Sequence, residues 1–194
     1  MIMVASSPSG GGKTTIVNDL LKTVEGIKRS ISHTTRAPRK EEKEGEDYIF
    51  ISDEEFRFNI EKDKFLEWEQ NFGHFYGTSE EQVRETLAGG DDVILSIDVK
   101  GARRVKMKFP ESISVFIMPP SIKALTERLT KRKTEGASQV AERLQESEKE
   151  IAAADEYDYM IVNEDIGEAV GELKKIIEAE RKNRTIKEKT ENDE

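Results

Sequence analysis

The first 24 residues of the chain set narrow limits on its fold. Residues 2–6 form a short apolar run that predicts a buried strand, and the glycine-rich turn Ser7-Pro8-Ser9-Gly10-Gly11-Gly12 follows directly. Beyond the turn, apolar side chains recur at the spacing of one helix face, at Ile16, Val17, Leu20, Leu21 and Val24. A strand, a glycine loop and a helix in this order predict the first βα unit of an α/β protein.

The turn fits the phosphate-binding pattern G-x4-G-K-[ST], except that Ser7 stands at the first glycine. Glycines let successive N–H groups converge on phosphate oxygens, and the next helix directs the positive end of its dipole at them. Lys13 is expected to reach the β- and γ-phosphates of ATP or GTP, and the Thr14 hydroxyl to bind Mg²⁺. Ser7 would carry about 1 kcal/mol of strain if its φ were positive. The alternative is a plain turn whose lysine points into water. The nucleotide-binding set predicted here is Ser9, Gly10, Gly11, Gly12, Lys13, Thr14 and Thr15.

Three further apolar runs, at residues 93–99, 113–118 and 159–162, predict strands that are buried on both faces of a parallel sheet. Helical patterns lie at residues 122–129, between the last two runs, and at residues 166–177, after them. Strands that alternate with helices indicate right-handed βαβ units. The predicted fold class is therefore α/β, with a P-loop and a doubly wound parallel sheet as its core.

Between about residues 29 and 90 this alternation stops. Two capping boxes, Ser52-x-x-Glu55 and Ser79-x-x-Gln82, predict the starts of short helices there. We therefore predict an inserted α+β subdomain over residues 32–90 and a core formed by residues 1–31 and 91–194. Within this core, residues 131–145 are expected to form a short lid or an exposed loop, and residues 182–194 are expected to fray.

Composition excludes several classes of chemistry. The chain has no cysteine and two histidines far apart, so zinc sites and Ser-His or Cys-His nucleophiles are not expected. Its 31 Lys+Arg against 40 Asp+Glu give a net charge of −9, which disfavours broad binding of nucleic acid. No run approaches the roughly 20 apolar residues of a membrane span. We expect a soluble, cytoplasmic protein without nucleic-acid or membrane partners, in which local cations hold any anionic ligand.

The insertion carries four blocks of residues: Ser32-His33-Thr34-Thr35-Arg36-x-Pro38-Arg39, Gly45-x-x-Tyr48, Phe65-Leu66-Glu67-Trp68 and Tyr76-Gly77-Thr78. In this order and spacing they resemble the guanylate kinase family, and the likeness runs from Val4 to about Arg181. The resemblance implies transfer of the ATP γ-phosphate to GMP or dGMP, with Mg²⁺ bridging the ATP phosphates. The GMP-binding residues that it implies are Ser32, Arg36, Arg39, Tyr48, Glu67, Tyr76, Thr78 and Asp98.

The residue types at these positions suit GMP chemically. Guanine has donors at N1 and N2 and an acceptor at O6, so the Glu67 carboxylate would accept from both donors. The hydroxyls of Ser32 and Thr78 would donate to O6. Adenine would leave these groups unpaired at about 1–3 kcal/mol each. The two arginines and two tyrosines of the set would hold the phosphate. Taken alone, each residue also fits a surface charge or a packing aromatic.

By the same resemblance, Arg128, Arg132 and Arg143 match arginines that close over the ATP phosphates. The alternative is a charged helix surface. Asn163 resembles the family element against the adenine, although a helix cap is an equally good account of an Asn or Asp in the stretch Asn163-Glu164-Asp165. The predicted catalytic set is Lys13, Arg39, Arg132 and Arg143, and Arg128 and Asn163 join the ATP-binding set.

Two positions depart from the family pattern. Ser96 stands where relatives usually have an acid two residues before Asp98, and Lys133 replaces a glycine that commonly follows the lid arginine. Two other functions stay open: a P-loop kinase for a different acceptor, and a catalytically silent interaction module with the same fold. The retained Lys13 and Thr14 disfavour the silent module. Oligomeric state does not follow from the sequence.

Overall fold

A computed structural model of the chain describes residues 1–131 and 137–192. Contacts between Cα atoms divide the chain into two compact units. The 26–114 unit also includes residues 2–6, and the 115–194 unit also includes residues 1 and 7–25. In chain order the elements are β1 (Ile2–Ser6), α1 (Lys13–Leu21), β2 (Ile27–Arg29), β3 (His33–Thr34), β4 (Ile49–Phe50), α2 (Asp53–Glu61), β5 (Phe65–Asn71), β6 (His74–Ser79), α3 (Glu80–Ala88), β7 (Asp92–Ser96), α4 (Val99–Lys108), β8 (Ile113–Met118), α5 (Ile122–Lys131), α6 (Ala137–Ala152), β9 (Tyr159–Val162) and α7 (Ile166–Asn192).

The 26–114 unit contains parallel strands of one sheet and the whole of a second sheet. In the first, β7 lies between β1 and β2 and pairs with both in parallel, with Val93 opposite both Ile2 and Lys28. The second sheet has the strand order β4-β3-β6-β5, and β6 is antiparallel to both of its neighbours. All four of its strands fall within residues 32–90, the range predicted as an insertion. The contact-based unit is larger, because β1, β2 and β7 belong to it as well.

Both capping boxes predicted from the sequence start helices in this unit. The Ser52 hydroxyl accepts from the Glu55 N–H at 3.1 Å and begins α2, and the Ser79 hydroxyl accepts from the Gln82 N–H at 3.3 Å and begins α3. Gly90, with φ of 86°, follows the end of α3. These local signals depend on neighbours in sequence, which is why they could be recognised without tertiary information.

An aromatic core fixes α2 against the second sheet. The ring of Phe56 stacks on Phe65 at 4.4 Å and on Phe75 at 5.2 Å between centroids. Gly77 leaves the space these rings need, since a Cβ there would lie 2.9 Å from both Phe56 and Phe65. The first residue of β5 is therefore anchored in this core, and that anchor sets where the following residues of the strand lie.

Helix α4 was not foreseen from the sequence. The apolar run predicted as a strand over residues 93–99 ends as a strand at Ser96, and Val99 already begins α4. The turn into the helix occurs because Asp98 accepts from the Gly101 N–H at 2.8 Å and caps it. The apolar residues Val99, Ala102 and Val105 then form the buried side of α4.

In the 115–194 unit, residues 115–118 of β8 pair in parallel with β9. Helix α1 packs on α7, and Ile16, Leu20 and Leu173 have no exposed surface. The parallel strands and their helices confirm the predicted α/β class. Among the described residues, no helix combines the length and the apolar sequence needed to cross a membrane.

The carboxyl-terminal helix is longer than the composition predicted. Residues 182–194 were expected to fray, whereas α7 continues through Asn192. Along this exposed part, charged side chains four residues apart support the helix, as in the pair of Arg184 and Glu188 at 3.8 Å. The helical pattern of charges was present in the sequence but carries no apolar face that would predict packing.

Candidate active site

The glycine loop between β1 and α1 adopts backbone angles that glycine favours. Gly10 and Gly12 have φ of 87° and 96°, and the Gly11 N–H donates to the Pro8 carbonyl at 2.8 Å. Ser7 is not among the described residues with positive φ, so serine in place of the pattern's first glycine causes no backbone strain. The departure from the phosphate-binding pattern is therefore tolerated by the fold.

Helix α1 begins directly after this loop, at Lys13. Within the described residues, no side chain caps its N-terminus, and Gly12 stands at the cap position. Thr14 and Thr15 are exposed residues of the first turn. Uncapped N–H groups at a helix start together with glycine-loop N–H groups form an arrangement that suits a bound anion.

Asn163, which follows β9, is packed against the glycine loop. Its Nδ2 donates to the Gly11 carbonyl at 2.7 Å, and a Cβ on Gly12 would lie 2.4 Å from the same nitrogen. Its Oδ1 is buried and has no hydrogen-bond partner among the described residues. The helix cap that an Asn or Asp in this stretch could provide belongs to Asp165, which accepts from the Glu168 N–H at 3.0 Å at the start of α7.

Two of the predicted arginines also reach this loop. Arg128 on α5 donates to the carbonyl oxygens of Gly11 at 3.4 Å and of Asn163 at 3.5 Å. Arg143 on α6 donates to the Ser9 hydroxyl at 3.1 Å. Arg128 therefore contacts the loop through long hydrogen bonds, and Arg143 through one of ordinary length.

Glu150 is a member of this site that the sequence analysis missed. Its Oε2 accepts from the Ser9 N–H at 3.3 Å. It follows Arg143 by seven residues, close to two helical turns, so both side chains lie on one side of α6. Arg132 and Lys133 lie outside the described residues, as does part of the predicted lid.

Glu67 is buried because a β-bulge precedes it. Phe65 pairs with Ser79, and the next pair is Glu67 with Thr78, so the ladder skips Leu66. A bulge inserts one extra residue and turns the side chains that follow. Three successive residues are consequently only 5% exposed each, whereas a regular strand would alternate between its two faces.

The Glu67 carboxylate has a hydroxyl on one oxygen and a glycine next to the other. The Thr78 hydroxyl donates to Oε1 at 2.5 Å. A Cβ at Gly101 on α4 would lie 2.5 Å from Oε2, so glycine at this position leaves room for the acid. Because a hydroxyl has one proton, Thr78 cannot also donate to O6 of guanine while it bonds Glu67. Ser32, partly exposed and one residue before β3, is then the hydroxyl left for O6.

Burial raises the pKa of Glu67 to about 7. The hydrogen bond from Thr78 and the charge of Arg104 act in the opposite direction, while the charges of Asp98 and Glu69 raise the pKa further. Such a carboxyl changes its charge near neutral pH. A ligand that donates N–H groups to it would favour the ionised form.

Asp98 uses both of its carboxylate oxygens within the protein. Oδ1 caps α4, and Oδ2 accepts from the side-chain amide of Asn71 on β5. These bonds hold the start of α4 next to β5, the strand that carries Glu67. The part assigned to Asp98 in holding guanine stays a prediction.

The four residues predicted to hold a phosphate form a second cluster in the 26–114 unit. The Arg36 guanidinium lies 5.4 Å from the centroid of the Tyr48 ring, and the rings of Tyr48 and Tyr76 are 6.1 Å apart. Burial raises the pKa of Tyr48, which keeps its hydroxyl a neutral donor. Arg39 lies further along the same loop and is more exposed. Tyr76 and Thr78 are two residues apart on β6, so the two clusters lie on one face of that strand.

The described part of the chain offers no cage of its own for a metal ion. Within the residues that the structure describes, no group of three or more His, Cys, Asp or Glu side chains could hold a cation. Mg²⁺ commonly takes most of its ligands from substrate phosphates and water and few from the protein. The exposed Thr14 hydroxyl beside the glycine loop fits that kind of site.

Comparison with known proteins gives a consistent result. The family model described as guanylate kinase matches residues 1–180. A guanylate kinase of Hahella chejuensis is 47% identical over 180 residues, which are 93% of this chain and 86% of the relative. A guanylate kinase of Symbiobacterium thermophilum is 46% identical over 187 residues, 96% of this chain and 88% of the relative.

A solved structure supports the same relationship. The crystal structure of guanylate kinase from Anaplasma phagocytophilum matches with a TM-score of 0.76 and 38% identity. The match covers 93% of this chain and 85% of the other. Both the sequence likeness and the structural likeness therefore extend over nearly the full length described above.

Proposed function

Because this chain belongs to the guanylate kinase family of nucleoside monophosphate kinases, we propose that it transfers the γ-phosphate of ATP to GMP, giving ADP and GDP. The proposal includes dGMP as an acceptor, since none of the contacts assigned below involves the ribose 2′-hydroxyl. It also includes in-line transfer assisted by Mg²⁺.

The donor nucleotide is assigned to the glycine loop. The N–H groups of the loop and of the first turn of α1 would bind the phosphates, with Lys13 on the β- and γ-phosphates. We assign the adenine to Asn163, because a buried amide oxygen without a donor is unusual and an exocyclic amine would supply one. Arg128 would hold Asn163 and the loop in place through the hydrogen bonds described above.

The acceptor nucleotide is assigned to the Glu67 cluster and the neighbouring arginine cluster. The ionised Glu67 carboxylate would accept from N1–H and N2–H of guanine, and Ser32 would donate to O6. Arg36 and Arg39, with the tyrosine hydroxyls beside them, would bind the phosphate through charge-assisted hydrogen bonds. One face of β6 serves both ends of the nucleotide, which fits a ligand with a base at one end and a phosphate at the other.

Phosphoryl transfer needs positioning and charge neutralisation more than covalent chemistry. Lys13 and Arg143 would bring positive charge to the donor phosphates and Arg39 to the acceptor phosphate, and Arg132 is proposed as a further arginine of the catalytic set. Mg²⁺ bound to the donor phosphates, with Thr14 among its ligands, would neutralise charge that develops on them. Exclusion of water by a closing lid would limit hydrolysis of ATP.

The observation that carries the proposal is the buried Glu67 carboxylate. An isolated acid is rarely buried without a partner charge, because the loss of water costs more than one hydroxyl bond returns. Guanine offers two parallel N–H donors to such a group, and no other common base offers the same pair beside an O6 acceptor. A cost of this kind in the free protein is therefore reasonable if the acid is there to recognise GMP.

The proposal is tested by coupled measurement of ADP formation with GMP, dGMP, AMP, CMP and UMP at equal concentration. We expect GMP and dGMP to be phosphorylated and the others to react at least a hundredfold more slowly, about 3 kcal/mol in the transition state. Lys13→Ala should nearly abolish turnover. Equal rates with AMP or UMP would contradict the GMP assignment, and full activity of the Lys13 variant would contradict the donor site.

A further inference from the structure

The loop between β3 and β4 contains an acid that neither the family pattern quoted above nor the proposed function uses. Glu42 lies three residues after Arg39, and its N–H donates to the Arg39 carbonyl at 3.1 Å. Arg36 Nη2 donates to both carboxylate oxygens of Glu42, at 2.8 and 2.9 Å. The Arg39 N–H donates to Glu42 Oε2 at 2.8 Å. One carboxylate thus bonds one phosphate arginine through its side chain and the other through its backbone.

The side chains of Arg36 and Arg39 differ in burial and therefore in how firmly Glu42 holds them. The side chains of Arg36 and Glu42 are 13% and 16% exposed, whereas that of Arg39 is 50% exposed. Arg39 Nη1 lies 3.9 Å from Glu42 Oε1, beyond hydrogen-bond distance. A shielded, doubly bonded pair is held more firmly than an exposed one. Arg36 is therefore fixed in the free protein, while the Arg39 side chain keeps its freedom.

Resting on the proposed function, we propose that Glu42 is a positioning residue for the acceptor phosphate. It fixes the plane of the Arg36 guanidinium, whose third hydrogen bond goes to the Ala37 carbonyl at 2.8 Å. A guanidinium has five N–H groups in one plane, so fixing three of its bonds determines where the remaining N–H groups point. The phosphate then meets an arginine that is already oriented, and only Arg39 has to adjust.

Because Glu42 is negatively charged, the direction of the change in GMP affinity after its removal tests the proposal. An acid beside two phosphate arginines repels the phosphate, so charge alone predicts that removing it strengthens GMP binding. Positioning predicts the reverse, because glutamine offers one acceptor oxygen and brings N–H groups against the N–H groups of Arg36. In an alternative role, Glu42 pairs with the arginines only until the phosphate displaces it. This role also predicts that GMP binds more strongly once Glu42 is removed. The bond to the Arg39 backbone opposes that role, since displacement would break it.

The first experiment compares Glu42→Gln with Glu41→Gln, which removes the same charge from an exposed neighbour. Calorimetric titrations with GMP and with guanosine, and KM values for GMP and ATP, are measured for both variants and the unaltered protein. We expect Glu42→Gln to weaken GMP binding at least tenfold, without change in guanosine binding or in the KM for ATP, and Glu41→Gln to match the unaltered protein. Unchanged or stronger GMP binding in Glu42→Gln would overturn the proposal.

A second experiment separates positioning of Arg36 from support of the loop. Glu42→Gln is introduced into an Arg36→Lys background, in which the doubly bonded pair no longer exists. We expect less than a twofold further loss of GMP affinity there. An equal loss in both backgrounds would show that Glu42 acts through the loop, and the proposal would be wrong. If Glu42→Gln does not fold, as judged by its melting curve, Glu42→Asp replaces it in the same cycle with the same expectations.

The proposed function is tested separately from the role of Glu42. Turnover of GMP by the unaltered protein is measured first. No turnover there contradicts guanylate kinase activity itself, whereas normal turnover with unaffected GMP binding in Glu42→Gln contradicts only the positioning part of Glu42.

Discussion

Replacing Glu67 by glutamine should stabilise the free protein at alkaline pH. The pKa of Glu67 is about 7 in the folded protein and near 4.5 in a solvated chain. Between these values the folded state holds a proton that the unfolded state has lost, so stability falls as the pH rises from 4.5 to about 7. Above that range the folded protein carries a buried negative charge, and glutamine avoids this cost while it can still accept the hydrogen bond from Thr78.

The size of the effect follows from the same two values. One pH unit corresponds to about 1.4 kcal/mol, so a rise from 4.5 to about 7 amounts to about 3 kcal/mol in the free energy of unfolding. For a chain of this length, each kcal/mol moves the melting temperature by about 2–4 °C, or about 6–12 °C in all. Well below pH 4.5 the two proteins should melt together, since the acid is then protonated in both the folded and the unfolded state.

The assay is thermal unfolding followed by circular dichroism, without nucleotide, at intervals from pH 5 to 8.5. Glu85→Gln on the exposed side of α3 is the matched control and should melt with the unaltered protein at every pH. A melting difference that does not grow with pH would show that Glu67 ionises as a solvated acid does. A less stable Glu67→Gln protein at pH 8 would refute the reasoning about its burial.

Three further predictions concern the nucleotides. Glu67→Gln should weaken GMP binding by about 10–100-fold, because one or two charge-assisted hydrogen bonds are lost, and ATP binding should not change. At pH 7 the unaltered protein should release protons when GMP binds. This release is measured as a binding enthalpy that depends on the buffer, and the variant should lack it. Glu150→Gln should raise the KM for ATP about tenfold and leave that for GMP unchanged, because Ser9 loses a charged acceptor; equal changes in both constants would count against this contact. Gly12→Ala should lose ATP binding in equilibrium titrations, since its Cβ would meet Asn163 at 2.4 Å, and normal binding would contradict that packing.

Local signals explain most of what the sequence could predict. The strands β1, β8 and β9, the glycine loop and the two capping boxes are each specified by residues a few positions apart. The buried position of Glu67 was expected from its place in the family pattern, but the bulge at Leu66 that buries it was not. A bulge depends on how two strands pair, and the sequence of one strand does not contain that information.

Contacts that join distant residues account for the rest. Glu150 looks like an ordinary surface acid in the sequence, and only the fold brings it to Ser9. Glu42 is six residues from Arg36, and its contact depends on the irregular conformation of their loop. The hydroxyl of Thr78 was expected to face guanine, whereas its proton goes to Glu67. Asn163 had two equally good interpretations, and the hydrogen bond that Asp165 accepts from the Glu168 N–H assigns the cap of α7 to Asp165.

Gly101 has no side chain, yet it affects the site because it leaves room for the Glu67 carboxylate. An added methyl at this position would displace the carboxyl group of Glu67, because Glu67 Oε2 is the nearest atom it would meet. Selectivity for the base should therefore suffer more from such a change than folding does. In a saturation mutagenesis screen scored for growth, Gly101 should be as sensitive to substitution as the charged residues that contact the substrate. In a screen scored only for protein abundance, substitutions at Gly101 should have little effect.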